Sequence, residues 1–107
     1  MLIRIDTSTG PVLEDVDDTM SLKISSSCNA AELSAAATLI GILDGSSHIW
    51  VDIRWLVANG HPQASEWMSN FRKMLDFARS RGWVDEGEKF VRVHIENTMP
   101  NSISETK

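Results

Sequence analysis

The fold turns on residues 48–57, His48-Ile49-Trp50-Val51-Asp52-Ile53-Arg54-Trp55-Leu56-Val57. As one strand, Ile49, Val51, Ile53, Trp55 and Val57 share a face, the period-2 pattern of a half-buried strand. Split at Asp52, the same residues give a short strand, His48 to Val51, and a helix capped by Asp52 that buries Ile53, Leu56 and Val57. Asn59-Gly60 then stops that helix, and Gly60-His61-Pro62 leaves only a tight turn before the next amphipathic segment. That short connection favours the split. The single strand leaves an α/β layer in which the following helix crosses between strands.

Downstream, Trp67, Met68, Phe71, Met74, Leu75 and Ala78 recur at i, i+3, i+4 and i+7, which predicts one long amphipathic helix from Ser65. Ser65 is placed to cap it, Glu66 suits its positive end, and Arg79 and Arg81 suit its negative end. Gly82 suits the left-handed position just past the last turn. Trp83-Val84 and Phe90 to Ile95 predict a hairpin about a turn at Asp85 to Lys89. Its second strand points Val91, Val93 and Ile95 one way and Phe90, Arg92, His94 and Glu96 the other.

Upstream, Asn29 and Glu32 have the spacing of a capping box. They open a helix expected over residues 30–43 that is apolar on nearly every side, through Leu33, Ala36, Ala37, Leu39, Ile40, Ile42 and Leu43. Such a helix must be covered all round, by the rest of the domain or by a second chain, so residues 30–43 are also the expected seam of a homodimer. Gly45 is expected to cap its C-terminal end. Leu2 to Asp6 and Ser21 to Ser25 alternate and predict two strands able to pair, with a turn signal at Thr9-Gly10-Pro11 between them. Glu14, Asp15, Asp17 and Asp18 form a dense acidic cluster without the twelve-position calcium-loop pattern. They read as a charged loop or as a patch facing a basic partner.

At 107 residues and 42% hydrophobic, the chain has the apolar content for one small core. It has no apolar run near the roughly 20 residues of a membrane span, and no basic start followed by a long apolar stretch. The single Cys28 excludes an internal disulfide, and the expectation is a cytoplasmic protein. Net charge is −5, but unevenly placed: residues 1–44 carry −5 and residues 45–94 carry +1, so the second region tolerates nucleic acid beside an acidic arm. His48, His61 and His94 lack metal-ligand spacing, and no Gly-rich phosphate loop or nucleophile elbow is present. Neither metal nor cofactor is expected, and the chain does not read as an enzyme.

The order of helix, short strand, capped helix, Gly turn, long helix, Gly82-Trp83-Val84 and the hairpin Phe90-Val91-Arg92-Val93 resembles winged helix-turn-helix regulators over residues 30–96. The resemblance implies an α+β fold: a winged-helix-like helical core over 29–96 with a C-terminal β-hairpin, an N-terminal β-prone acidic arm over 1–28, and a flexible tail over 97–107. It further implies a non-catalytic nucleic-acid-binding regulator. Gln63, Ser69, Asn70, Arg72 and Lys73 on the long helix, with Lys89 and Arg92 on the wing, would meet duplex DNA. Two features depart from the pattern: Arg54 and Trp55 stand where small residues usually pack, and Glu66 and Asp76 interrupt the basic face. A second reading therefore stays open, an interaction module or inhibitor whose Glu14, Asp15, Asp17 and Asp18 bind a basic protein. A third is a small-molecule binder on an α/β sheet, over Trp50 and Arg92.

Overall fold

The computed structural model describes residues 1–6 and 10–97, Asn97 by its backbone alone. Of the tail expected over 97–107, Asn97 is instead the last residue of the final strand and the rest lies outside the described residues; the turn signal at Thr9 lies partly outside them. In chain order the elements are β1 (Leu2–Asp6), β2 (Gly10–Glu14), β3 (Lys23–Ser26), α1 (Ala30–Ala37), β4 (Gly41–Asp44), β5 (His48–Asp52), α2 (Ile53–Asn59), α3 (Ser65–Ser80) and β6 (Phe90–Asn97). The strands form one mixed sheet in the order β2-β1-β3-β6-β5-β4. β1 pairs antiparallel with β2 and parallel with β3; β6 pairs parallel with β3 and antiparallel with β5, which carries β4. Helix α1 packs against both β4 and β2, the two edge strands, so the sheet curls and α1 bridges its edges.

One face of the sheet makes the core. Ile3, Ile5, Ile24, Ile49, Val51, Val91, Val93 and Ile95 alternate along their strands and are buried in one cluster with Leu33 and Ala37 of α1, Leu56 of α2, and Trp67, Phe71 and Ala78 of α3. Removing a side chain of this kind from water contributes about 1.5–3 kcal/mol, so the sheet-facing stripe of each helix holds it in place. Met68, Met74 and Leu75 pack half-buried against the same cluster, and the period-3.6 stripe of α3 is the one expected. The opposite face carries cross-strand ion pairs: Arg4 with Glu14, Lys23 with Glu96, and Arg92 with Asp44.

The winged helix-turn-helix expectation is overturned. The core is strand-dominated, and the sequence Phe90-Val91-Arg92-Val93 is the middle of a six-stranded sheet rather than a wing. The physical reason lies in β6 itself. Eight residues long and buried through Val91, Val93 and Ile95, it needs partners on both edges, and Trp83-Val84 supplies a single bridge from Val84 to Val91. β5 and β3 supply the rest, from chain at least 38 residues earlier, the Asp52 to Phe90 pair being the shortest separation. The α/β alternative describes the connection better, since α2 and α3 do cross between two strands, although β5 and β6 run antiparallel.

The helix expected over 30–43 stops at Ala37, and Gly41–Asp44 is strand β4. Gly41 explains the switch: a Cβ there would stand 1.9 Å from the Trp50 carbonyl oxygen, so only glycine lets this backbone pair so closely with β5. Gly45 does take a left-handed φ of 64°, but in the β4–β5 turn and not as a helix cap. Ser65 is the first residue of α3; the N-cap is Ala64, which makes no side-chain bond. Residues 10–14, read as turn and charged loop, form β2. Other local expectations hold. Both capping-box bonds of Asn29 and Glu32 are present, at 2.8 and 3.0 Å, and Asp52 caps α2 through the Arg54 N–H at 2.8 Å. No helix among the described residues is long and apolar enough to cross a membrane.

Candidate interaction groove

The acidic segment after β2 is folded against the rest of the chain. Asp18 accepts hydrogen bonds from the Met20 N–H and the Ser21 hydroxyl, each at 3.1 Å, and the N-terminal ammonium donates to the Asp18 and Ser21 carbonyls. The Met20 N–H first, then that ammonium and Ser21, hold the Asp18 carboxyl below the usual carboxylate range. From α3 the Trp67 indole N–H donates to the Val16 carbonyl at 2.8 Å, pinning the segment from the other side. The result is a rigid turn that presents Met20 to solvent with 91% of its surface exposed.

Opposite Met20 stands the C-terminal half of α3. Gly82, at φ 80°, closes the helix: its N–H donates to Arg79, and the Trp83 N–H donates to Ala78 at 2.9 Å, the 6→1 and 5→2 pattern of a Schellman ending. That ending turns Trp83 back against Phe77, edge to face at 6.0 Å. Phe77 and Trp83 are 54% and 41% exposed. Between this pair and Met20 runs a groove of about 410 Å³ lined by Thr19, Met20, Asn70, Lys73, Met74 and Phe77. It continues into a smaller hollow of about 110 Å³ where Leu22, Trp83, Val91 and Val93 join the lining.

The residues expected to touch nucleic acid do not converge. Asn70 and Lys73 line the groove. Arg72 and Ser69 are exposed on other flanks of α3, and Gln63 is exposed in the turn before it. Lys89 lines a separate hollow with Ile53, Arg54 and Glu88. The Arg92 side chain lies on the far face of the sheet, donating to Asp44 at 2.8 Å. Of the residues expected to face a basic partner, Glu14 pairs with Arg4, Asp17 with His61 at 3.3 Å, and Asp18 as described; Asp15 is exposed at a φ of 51°.

The far face brings together a second group: Asp44, His48, Trp50, Arg92 and His94, the histidine rings meeting edge to face at 5.2 Å. The Arg92 hydrogen bond holds the Asp44 carboxyl below its usual range, and burial, then Arg92 and His94, push His48 down. The Ser47 hydroxyl lies 2.7 Å from His48 Nδ1, but it belongs to the adjacent turn residue, and the nearby Asp44 carboxylate is held by Arg92. This face consists mainly of satisfied cross-strand contacts beside one exposed apolar residue, Ile42, whereas the groove gathers several exposed apolar side chains.

Sequence reading missed Met20, Phe77 and Trp83 as surface features. The signal was there: Phe77 stands about 120° around the helix from the centre of the apolar stripe, among polar residues. Comparison with protein-family models, with curated proteins and with solved structures finds no match, so the groove's geometry carries the functional argument alone.

Proposed function

We propose that this protein is a non-catalytic interaction module that docks an apolar segment of another protein in the groove between Met20 and α3. The observation that carries the reading is the concentration of exposed large apolar side chains there: Met20, Phe77 and Trp83 line one continuous depression, on a turn and a helix ending that are both locked by hydrogen bonds. Contiguous exposed apolar surface on a small domain marks a contact site, because leaving it in water is unfavourable. Preorganised walls lower the ordering cost of binding, and methionines adapt to varied partner shapes. Duplex DNA has less support as a partner, since only two of the seven residues suited to it meet at one place and the net charge is −5.

The test is selection of short peptides from a random display library on the immobilised protein, followed by solution affinities against the parent and a Met20→Ser/Phe77→Ser variant. Both positions are exposed, so the variant keeps the core. The expected result is a family of peptides with apolar anchors whose affinity falls at least about tenfold on the variant, as loss of two central contacts predicts. Peptides that bind parent and variant equally would place the binding surface elsewhere and overturn the reading.

A further inference from the structure

We infer that the segment docking in this groove is an acidic amphipathic one, with carboxylates flanking its apolar anchors; this rests on the docking role proposed above. Among the described residues, none that lines the groove or the hollow continuing it carries a carboxylate, on a chain whose net charge is −5. Lys73 is the charged residue in the groove's lining; Arg92 also borders the hollow, but its guanidinium is bound to Asp44 on the far face, and Arg81 lies over the Phe77 ring at 5.1 Å from its centre. Neither Lys73 nor Arg81 takes part in an ion pair among the described residues, whereas the neighbouring Arg79 is bound to both Asp76 and Glu88. On the opposite wall, Asp18 is turned to the Met20 N–H, the Ser21 hydroxyl and the N-terminal ammonium. The Ala78 and Arg79 carbonyls near the end of α3 are taken by the Trp83 and Gly82 N–H groups, so part of the negative helix end is covered as well.

The groove is thus an apolar floor with a basic rim on a chain of net negative charge. A basic segment would meet repulsion at the rim, and an uncharged one would leave both cations without partners. An acidic one gains two rim contacts, and the rim helps steer it to this place. Exposed opposite-charge contacts of this kind each shift affinity by roughly two- to fivefold. Arg81 adds a specificity of its own, because a carboxylate can bond its guanidinium while the ring below keeps it in place.

The probes are three synthetic helical peptides sharing one set of leucine and phenylalanine anchors at helical spacing. Their flanks are glutamate, glutamine or lysine. Affinities are measured for the full chain, for Lys73→Glu and for Phe77→Ser, at low and high salt. The expected result is that the glutamate peptide binds the parent tightest, weakens with salt, and loses its preference to the lysine peptide on Lys73→Glu. That reversal is one that mere damage to the groove would not produce. If the glutamine or lysine peptide binds the parent as well as the glutamate one, while Phe77→Ser abolishes binding, the acidic preference is wrong and the docking role stands. If no peptide binds, or Phe77→Ser leaves binding unchanged, the docking role fails and this inference with it.

Discussion

Gly60→Ala is the sharpest test of how the N-terminal segment is held to α3. A Cβ built on Gly60 would lie 2.3 Å from both Cη2 and Cζ2 of Trp67, far inside van der Waals contact. Trp67 has little room to yield. It is 5% exposed, stacked on Phe71 with ring centres 5.0 Å apart and planes 10° apart, and tied by its N–H to Val16. Overpacking at such a site costs about 1–3 kcal/mol. Trp67→Leu alone should cost about 2–4 kcal/mol, from lost burial and from the Val16 carbonyl left without its donor. In the double variant the smaller side chain vacates the space that the new methyl enters. The two costs should then fall short of adding by at least about 1 kcal/mol. The assay is urea unfolding followed through the remaining tryptophans, Trp50, Trp55 and Trp83, which lie outside the mutated contact. Costs that add to within about 0.5 kcal/mol would refute the steric coupling and the packing derived from it.

Asp52→Ala should destabilise by about 1 kcal/mol through loss of the bond to the Arg54 N–H, and Asp52→Asn by much less; equal losses would show that charge, not capping, matters there. His48 is a base whose pKa is lowered on folding by burial and by the Arg92 and His94 charges, with Asp44 acting weakly against them. Its contribution to stability is therefore complete above the ordinary imidazole value of about 6.5 and declines as pH falls through and below it. Melting curves over that range should flatten in His48→Gln, and an unchanged slope would count against the far-face arrangement. Asp44, lowered chiefly by its bond from Arg92, stabilises above the ordinary carboxylate value of about 3.9 and loses that contribution as pH falls through its lower folded value; Asp44→Asn should remove that part of the acid transition.

What could be read from sequence was local. Asn29 and Glu32, Asp52 before Ile53, the stripe from Trp67 to Ala78, and Gly82 each specify their structure through bonds spanning a few residues, and each formed. What could not be read was which strands pair. The Arg92–Asp44 bond spans 48 residues and the Trp67–Val16 bond 51, and neither leaves a periodic trace in the chain. Ile42 and Leu43 misled for a related reason: a four-residue edge strand soon after an alanine-rich helix adds apolar residues at spacings that extend the helical pattern. The groove was hidden differently. Phe77 lies out of phase with the buried stripe, and Met20 stands alone in a polar segment, so each reads singly as an ordinary exposed residue until the fold sets them on facing walls.

The acidic cluster and the groove are one arrangement. Read along the chain, Glu14, Asp15, Asp17 and Asp18 look like a surface waiting for a basic protein. In the fold, Glu14 neutralises Arg4, Asp17 meets His61, and Asp18 gathers the N-terminus, Met20 and Ser21 into the turn that forms one wall. Carboxylates engaged within the chain gain little from an outside cation, because the new contact must displace an existing one. Their effect is positional: by drawing the backbone around Asp18 they raise Met20 into solvent opposite Phe77. Of the cations in no ion pair among the described residues (Arg72, Lys73, Arg81 and Lys89), Lys73 lines the depression and Arg81 lies over the Phe77 ring at its edge. The segment that gives the chain much of its negative charge thus builds a site whose own lining is apolar and basic, and the chemistry best suited to that lining is acidic.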